Sequence, residues 1–189
     1  MIIANRLVFF VAILLLYYTC EKYPSTIQKK GPLVIKRVAY SGFLISLSYV
    51  IGGVIFEFLI ENGFTYGNEV VTTPVTAAIT SVIILFISFF APKNKVFLTT
   101  EIKKTMLVVL LLLSLSTFTL IEPEYLIKEV LIYGGMYFLF AIAFTGVKDR
   151  VSIAPIPNFL KGYPLDLLTL FLFLLSFSFL NGVFFDQLF

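Results

Sequence analysis

The chain has 189 residues, of which 59% are hydrophobic and only 13% charged, with a net charge of +3. A soluble domain is nearer half apolar and one quarter charged, so this composition points to lipid. With no His and one Cys, a Cys/His zinc site, a bis-His haem and an intrachain disulfide are all excluded. The phosphate-binding GxxxxGK loop and the dinucleotide-binding GxGxxG turn are absent too, which argues against ATPase or dehydrogenase chemistry.

In chain order, residues 2–19 form the first apolar run. Met1 to Tyr18, with Arg6 near its start, has the look of a signal peptide, and Cys20 raises the possibility of a lipoprotein site. Such a site wants small residues ahead of the Cys. Bulky Tyr17 and Tyr18 fit poorly, and the segment reads as a first transmembrane helix with Arg6 reaching to the interface. Five more runs follow at 38–60, 72–91, 105–121, 126–147 and 164–185. Each meets the length of about 17–25 residues that crossing a bilayer requires.

The charge lies between the runs. Linker 20–37 carries Lys22, Lys29, Lys30, Lys36 and Arg37. Linker 92–104 carries Lys93, Lys95, Lys103 and Lys104, and linker 148–163 carries Lys148, Arg150 and Lys161. Of the 14 basic residues only Arg6 and Lys128 lie elsewhere. Basic residues are retained on the cytoplasmic side. The three linkers are therefore expected inside and both termini outside, in the cytoplasmic (inner) membrane of a cell. Contact with anionic lipid head groups accounts for the linkers' charge without any further partner, and nothing calls for nucleic acid.

The two halves resemble each other. Helix three starts at Thr73-Pro74 and runs through Thr80 to Ser88-Phe89, and helix six starts at Tyr163-Pro164 and runs through Thr169 to Ser176-Phe177. Gly42, Gly52 and Gly53 in helix two answer to Gly134, Gly135 and Gly146 in helix five. The expected fold is an all-α integral membrane protein. Its six transmembrane helices form two inverted three-helix repeats, 1–91 and 105–189, joined by a cytoplasmic linker at 92–104. Inverted repeats place functional sites near the midplane, between the halves.

Residues 144–179 read FTGVKDRVSIAPIPNFLKGYPLDLLTLFLFLLSFSF. A helix ends in Lys148-Asp149-Arg150, and a loop with Pro157 and the pair Lys161-Gly162 follows. The last helix then carries Leu167, Thr169, Ser176 and Phe177. This stretch resembles the membrane subunits of the Rnf and Nqr redox-driven ion pumps (the A-type Rnf and E-type Nqr subunits), and helix count and chain length agree. Read physically, Lys148 and Arg150 suit the negative end of helix five. Gly162 permits a turn, and Pro164 suits the first turn of helix six.

The resemblance implies work in a multi-subunit Na⁺ or H⁺ translocating complex. It also implies that a paralogous membrane subunit shares one [2Fe–2S] cluster, each chain supplying two cysteines. Cys20 stands at roughly the expected place in the first half, with Lys29-Lys30 as the basic pair that follows. The second half departs from the pattern. Residues 114–119 read Ser-Leu-Ser-Thr-Phe-Thr, and one of the four thiolates that such a cluster needs is missing. Ligation by a Ser or Thr oxygen or by extra cysteines of a partner would have to replace it. Alternatively, Cys20 is a small apolar filler.

Glu57, near the end of helix two, and Asp166, near the start of helix six, are candidates for an ion path. Both also lie close enough to an interface to reach water, and Asp166 suits a helix N-terminus. Three functions stay open. The chain passes electrons through a shared cluster, as a non-catalytic part of an oxidoreductase. Or it is a cluster-less scaffold or ion-conducting subunit of such an assembly. Or it is a small inverted-repeat transporter.

Overall fold

The computed structural model describes residues 3–22, 30–61, 69–90, 98–118, 126–153, 157 and 162–180. They form six α-helices in chain order: α1 Ile3–Lys22, α2 Lys30–Glu61, α3 Glu69–Ser88, α4 Thr100–Phe118, α5 Leu126–Ile153 and α6 Tyr163–Leu180. Among the described residues there is no strand. The apolar runs are rich in Leu, a good helix former, and are long enough for several helical turns, which pair the backbone within each segment.

Two helices differ in length from the apolar runs. α2 begins at Lys30 rather than near residue 38, and Pro32 fits its first turn, where no intrahelical N–H bond is lost. α5 continues through Lys148-Asp149-Arg150 to Ile153, so that triplet is helical rather than the start of a loop. Helix propagation needs no apolar residues, only continued backbone pairing, and polar turns therefore extend a helix past its apolar run.

The stretches Val34–Leu59 in α2 and Ile127–Val151 in α5 are long and apolar enough to cross a membrane. At 26 and 25 residues they span about 37–39 Å at 1.5 Å per residue, against a hydrocarbon core of about 30 Å. Val75–Ser88 and Pro164–Phe173 are shorter apolar stretches.

The chain falls into two compact units, residues 1–145 and 146–189. In the first, α1 packs on α4, α2 packs on α3, and α3 packs on α4. Small residues set the spacing. A Cβ on Gly52 would come within 2.6 Å of the Ser81 Cα on α3, and Thr80 Oγ1 donates to the Gly52 carbonyl at 3.2 Å. A Cβ on Gly53 would meet the Val130 side chain, and one on Gly134 would meet Val50. α2 and α5 therefore approach through each other's glycines, and Ser46 Oγ donates to the Gly134 carbonyl at 2.7 Å. Gly135, by contrast, has nothing within 4 Å of a new Cβ. Aromatic edges join α1 to α5, with Phe9 on Tyr137 at 5.7 Å and Tyr17 on Phe144 at 5.5 Å, a geometry that the ring quadrupoles favour. In the second unit, α6 follows a turn at Gly162, whose φ of 89° is the left-handed region that glycine enters without strain.

The outward faces are apolar. Phe43, Leu47, Val54 and Phe58 of α2 are exposed at helical spacing, as are Val75, Ile79, Ile83 and Phe86 of α3 and Leu167, Phe171 and Leu175 of α6. Most helix hydroxyls bond their own helix. Thr19 donates to the Leu15 carbonyl, Ser81 to Ala77, Thr105 to Glu101, Thr117 to Leu113, Thr145 to Ala141 and Thr169 to Leu165, all at 2.6–3.1 Å.

Candidate functional site

Cys20 lies in the last turn of α1 and is wholly buried. Its Sγ is 3.9 Å from Ser41 Oγ on α2. The Ser41 hydroxyl already donates to the Arg37 carbonyl at 2.7 Å, so the thiol is the donor in the Cys20–Ser41 contact. Arg37 is only 3% exposed and lies within electrostatic range of the thiol. The sequence placed Arg37 in a lipid-facing linker. The early start of α2 instead carries it into the interior.

This geometry does not fit the [2Fe–2S] cluster that the resemblance implies. A ligand shared between two chains must present its sulfur at a chain surface, and Cys20 presents none. Of the oxygens at 114–119, those described are no better placed, and Thr119 lies outside the described residues. Ser114 is wholly buried, Thr117 is 4% exposed, and Thr117 and Ser116 are committed to the Leu113 carbonyl. No group of three or more His, Cys, Asp or Glu side chains able to hold a metal occurs among the described residues.

The residues of the 144–179 motif do meet. Lys148 near the end of α5 forms an ion pair with Asp166 in the first turn of α6, with side-chain exposures of 12% and 6%. Such a pair is held because each charge compensates the other where water is scarce. The Asp166 N–H donates to the Gly162 carbonyl at 3.2 Å, which closes the turn. Thr169 is buried one turn further along. Asp149 is partly buried, Arg150 and Pro157 are exposed, and Lys161 lies outside the described residues. Asp166 is thus engaged by a cation. Glu57 is half-buried on α2 with one carboxylate oxygen shut away from solvent. It lies 16 residues beyond Ser41, about 24 Å along the helix, and is not brought together with Cys20.

A second constellation lies between α1, α2, α4 and α5. Phe9, Ser46, Tyr49, Leu113, Thr117, Tyr133, Gly134 and Tyr137 line a small cavity. Tyr49 OH and Thr117 Oγ1 are 2.7 Å apart. Thr117 donates to Leu113, so Tyr49 is the donor to Thr117. Tyr137 is 1% exposed, and its hydroxyl has no hydrogen-bond partner among the described residues. Sequence reasoning missed this group. The available signal was tyrosine in the middle of apolar runs (Tyr49, and Tyr133 with Tyr137 at i, i+4), away from the interfacial positions where membrane tyrosines concentrate. Comparison of the chain with protein-family models, curated proteins and solved structures found no match.

Proposed function

We propose that the chain is a multi-pass inner-membrane protein, a Rnf/Nqr-like subunit that works without a cluster of its own. It would act as a scaffold or ion-conducting member of an assembly with a paralogous membrane chain and further subunits. The exposed Phe, Leu, Ile and Val along α2, α3 and α6 support the membrane location, since water-soluble proteins rarely leave such faces uncovered. The basic linkers 20–37, 92–104 and 148–163 support a cytoplasmic face there and both termini outside. The inverted repeat is supported by the packing of corresponding helices on each other, α1 on α4 and α2 on α5. The Rnf/Nqr reading rests on the 144–179 motif, whose two helical ends are joined by Lys148 and Asp166.

The full burial of Cys20 against Ser41 supports the cluster-less form over the electron-carrying one. The test is purification from native membranes in mild detergent, with iron analysis and EPR of the dithionite-reduced sample beside a Cys20→Ala variant. A second multi-pass chain should co-purify, and no [2Fe–2S] signal should depend on Cys20. A signal lost in the variant would restore the electron-transfer role. A second reading is a stand-alone transporter, and isolation as a stable single chain without partners would select it.

A further inference from the structure

The ion pair of Lys148 and Asp166 can be taken further, and the step rests on the ion-conducting form of the reading above. Both residues belong to the second unit. Asp166 is 4% exposed and Thr169 is 5% exposed. Three positions apart, they share a face of α6. Thr169 Oγ1 donates to the Leu165 carbonyl at 2.6 Å and keeps lone pairs as an acceptor. The Gly162 carbonyl, which receives the Asp166 N–H at 3.2 Å, keeps a second lone pair. Carboxylate, hydroxyl and carbonyl oxygens are the ligands that small hard cations take. In this structure the cation beside the carboxylate is the Lys148 ammonium.

The choice of Lys at this position matters. Arg grips a carboxylate through a rigid two-pronged fork, whereas Lys is a compact point charge on a flexible stem. Arg150, two residues on, is exposed, and it is Lys148 that meets Asp166. An ammonium held this way is exchangeable for another compact cation. Charge balance sets the valence. One carboxylate offsets one positive charge, and a divalent ion would leave a charge uncompensated in a site only 6% exposed, which is costly. We propose that Asp166, with the Thr169 hydroxyl and the Gly162 carbonyl as neutral ligands, is a binding site for Na⁺, and that Lys148 is its tethered competitor. Na⁺ enters as the ammonium withdraws, so the carboxylate passes between two charge-balanced states. On the topology proposed above, the site opens to the cytoplasm.

The test uses the full chain purified in detergent, at constant ionic strength, with NaCl exchanged for choline chloride. Acetylation of Lys148 by acetic anhydride is read by mass spectrometry. Na⁺ should raise it severalfold and leave the exposed Lys104 unchanged, and this measurement needs no variant that must fold. Thermal unfolding supplies the second readout. Lys148→Gln should be stabilised at Na⁺ concentrations about tenfold or more below those the wild type needs, because apparent affinity scales with the fraction of free carboxylate. Asp166→Asn should respond no more to Na⁺ than to choline. Lys148 reactivity that ignores Na⁺ would overturn the proposal, as would an Asp166→Asn variant that responds like the wild type. Either result can accompany a co-purifying partner chain, in which case the site fails and the membrane-subunit reading stands. Na⁺-dependent release of Lys148 in a chain that purifies alone supports the site and counts against the assembly.

Discussion

Gly52→Ala is the sharpest perturbation of the helix packing. At Gly52 the new methyl would stand 2.6 Å from the Ser81 Cα, where carbon atoms in contact prefer about 3.5–4.0 Å. A backbone atom cannot rotate away, so α3 must retreat by roughly an ångström. Overpacking of this kind costs about 1–3 kcal/mol and occasionally more. The retreat also breaks the bond from Thr80 Oγ1 to the Gly52 carbonyl, worth about 1 kcal/mol. Against this, Ala gains about 1 kcal/mol over Gly in a helix interior. The net loss is about 1–3 kcal/mol, and at about 2–4 °C per kcal/mol for a chain of this size the melting temperature should fall by roughly 2–12 °C. Gly135→Ala is the control, since nothing lies within 4 Å of its new methyl, and it should melt at or slightly above the wild type. Cys20 is the chain's single cysteine and is buried, so a thiol-reactive fluorophore reports unfolding directly. The reasoning fails if Gly52→Ala is as stable as Gly135→Ala.

Other perturbations have equally definite outcomes. Lys148→Met leaves Asp166 in a site only 6% exposed and should cost about 3 kcal/mol, while Lys148→Met combined with Asp166→Leu should recover most of it; chemical denaturation in detergent measures both. Tyr49→Phe and Thr117→Val each remove the 2.7 Å contact between these residues, and a double-mutant cycle should give a coupling of about 1 kcal/mol. A membrane-impermeant maleimide added to intact cells should label Lys128→Cys and spare Lys104→Cys, both exposed positions, and the reverse pattern would invert the topology. In the folded protein, native Cys20 should resist alkylation until denaturant is added, given its full burial.

Helix number and approximate placement were legible because hydropathy runs and charged breaks coincide along this chain. Helix ends were less so. The starts and ends of α2 and α5 pass through Lys36-Arg37 and Lys148-Asp149-Arg150, where backbone pairing continues without apolar content. The glycines were legible as close-approach points, but sequence does not tell Gly134, which faces Val50 and Ser46, from its neighbour Gly135, which faces nothing. One residue along a helix rotates the side chain by about 100°, and only the packing decides which of two glycines is used. The burial of Arg37 against the protein was not legible, because a basic residue beside an apolar run gives no sign of what packs over it. Tyr49 and Thr117 meet across 68 residues of chain, a separation over which no local pattern carries information.

The inward bonding of the serine and threonine hydroxyls bears on how such a protein is made. A hydroxyl that bonds the carbonyl of its own preceding turn, as at Thr19, Ser81, Thr105, Thr117, Thr145 and Thr169, needs no neighbouring helix to enter lipid. On the proposed membrane location, each of these helices could be released into the bilayer singly, before its eventual neighbours emerge, with little polar penalty to delay it. Tyr49 and Tyr137 differ, because a phenol stands too far from its own backbone to be satisfied there. The Tyr49 hydroxyl meets Thr117 only when α2 and α4 have come together, so this bond belongs to the assembly of the bundle and not to the entry of a single helix.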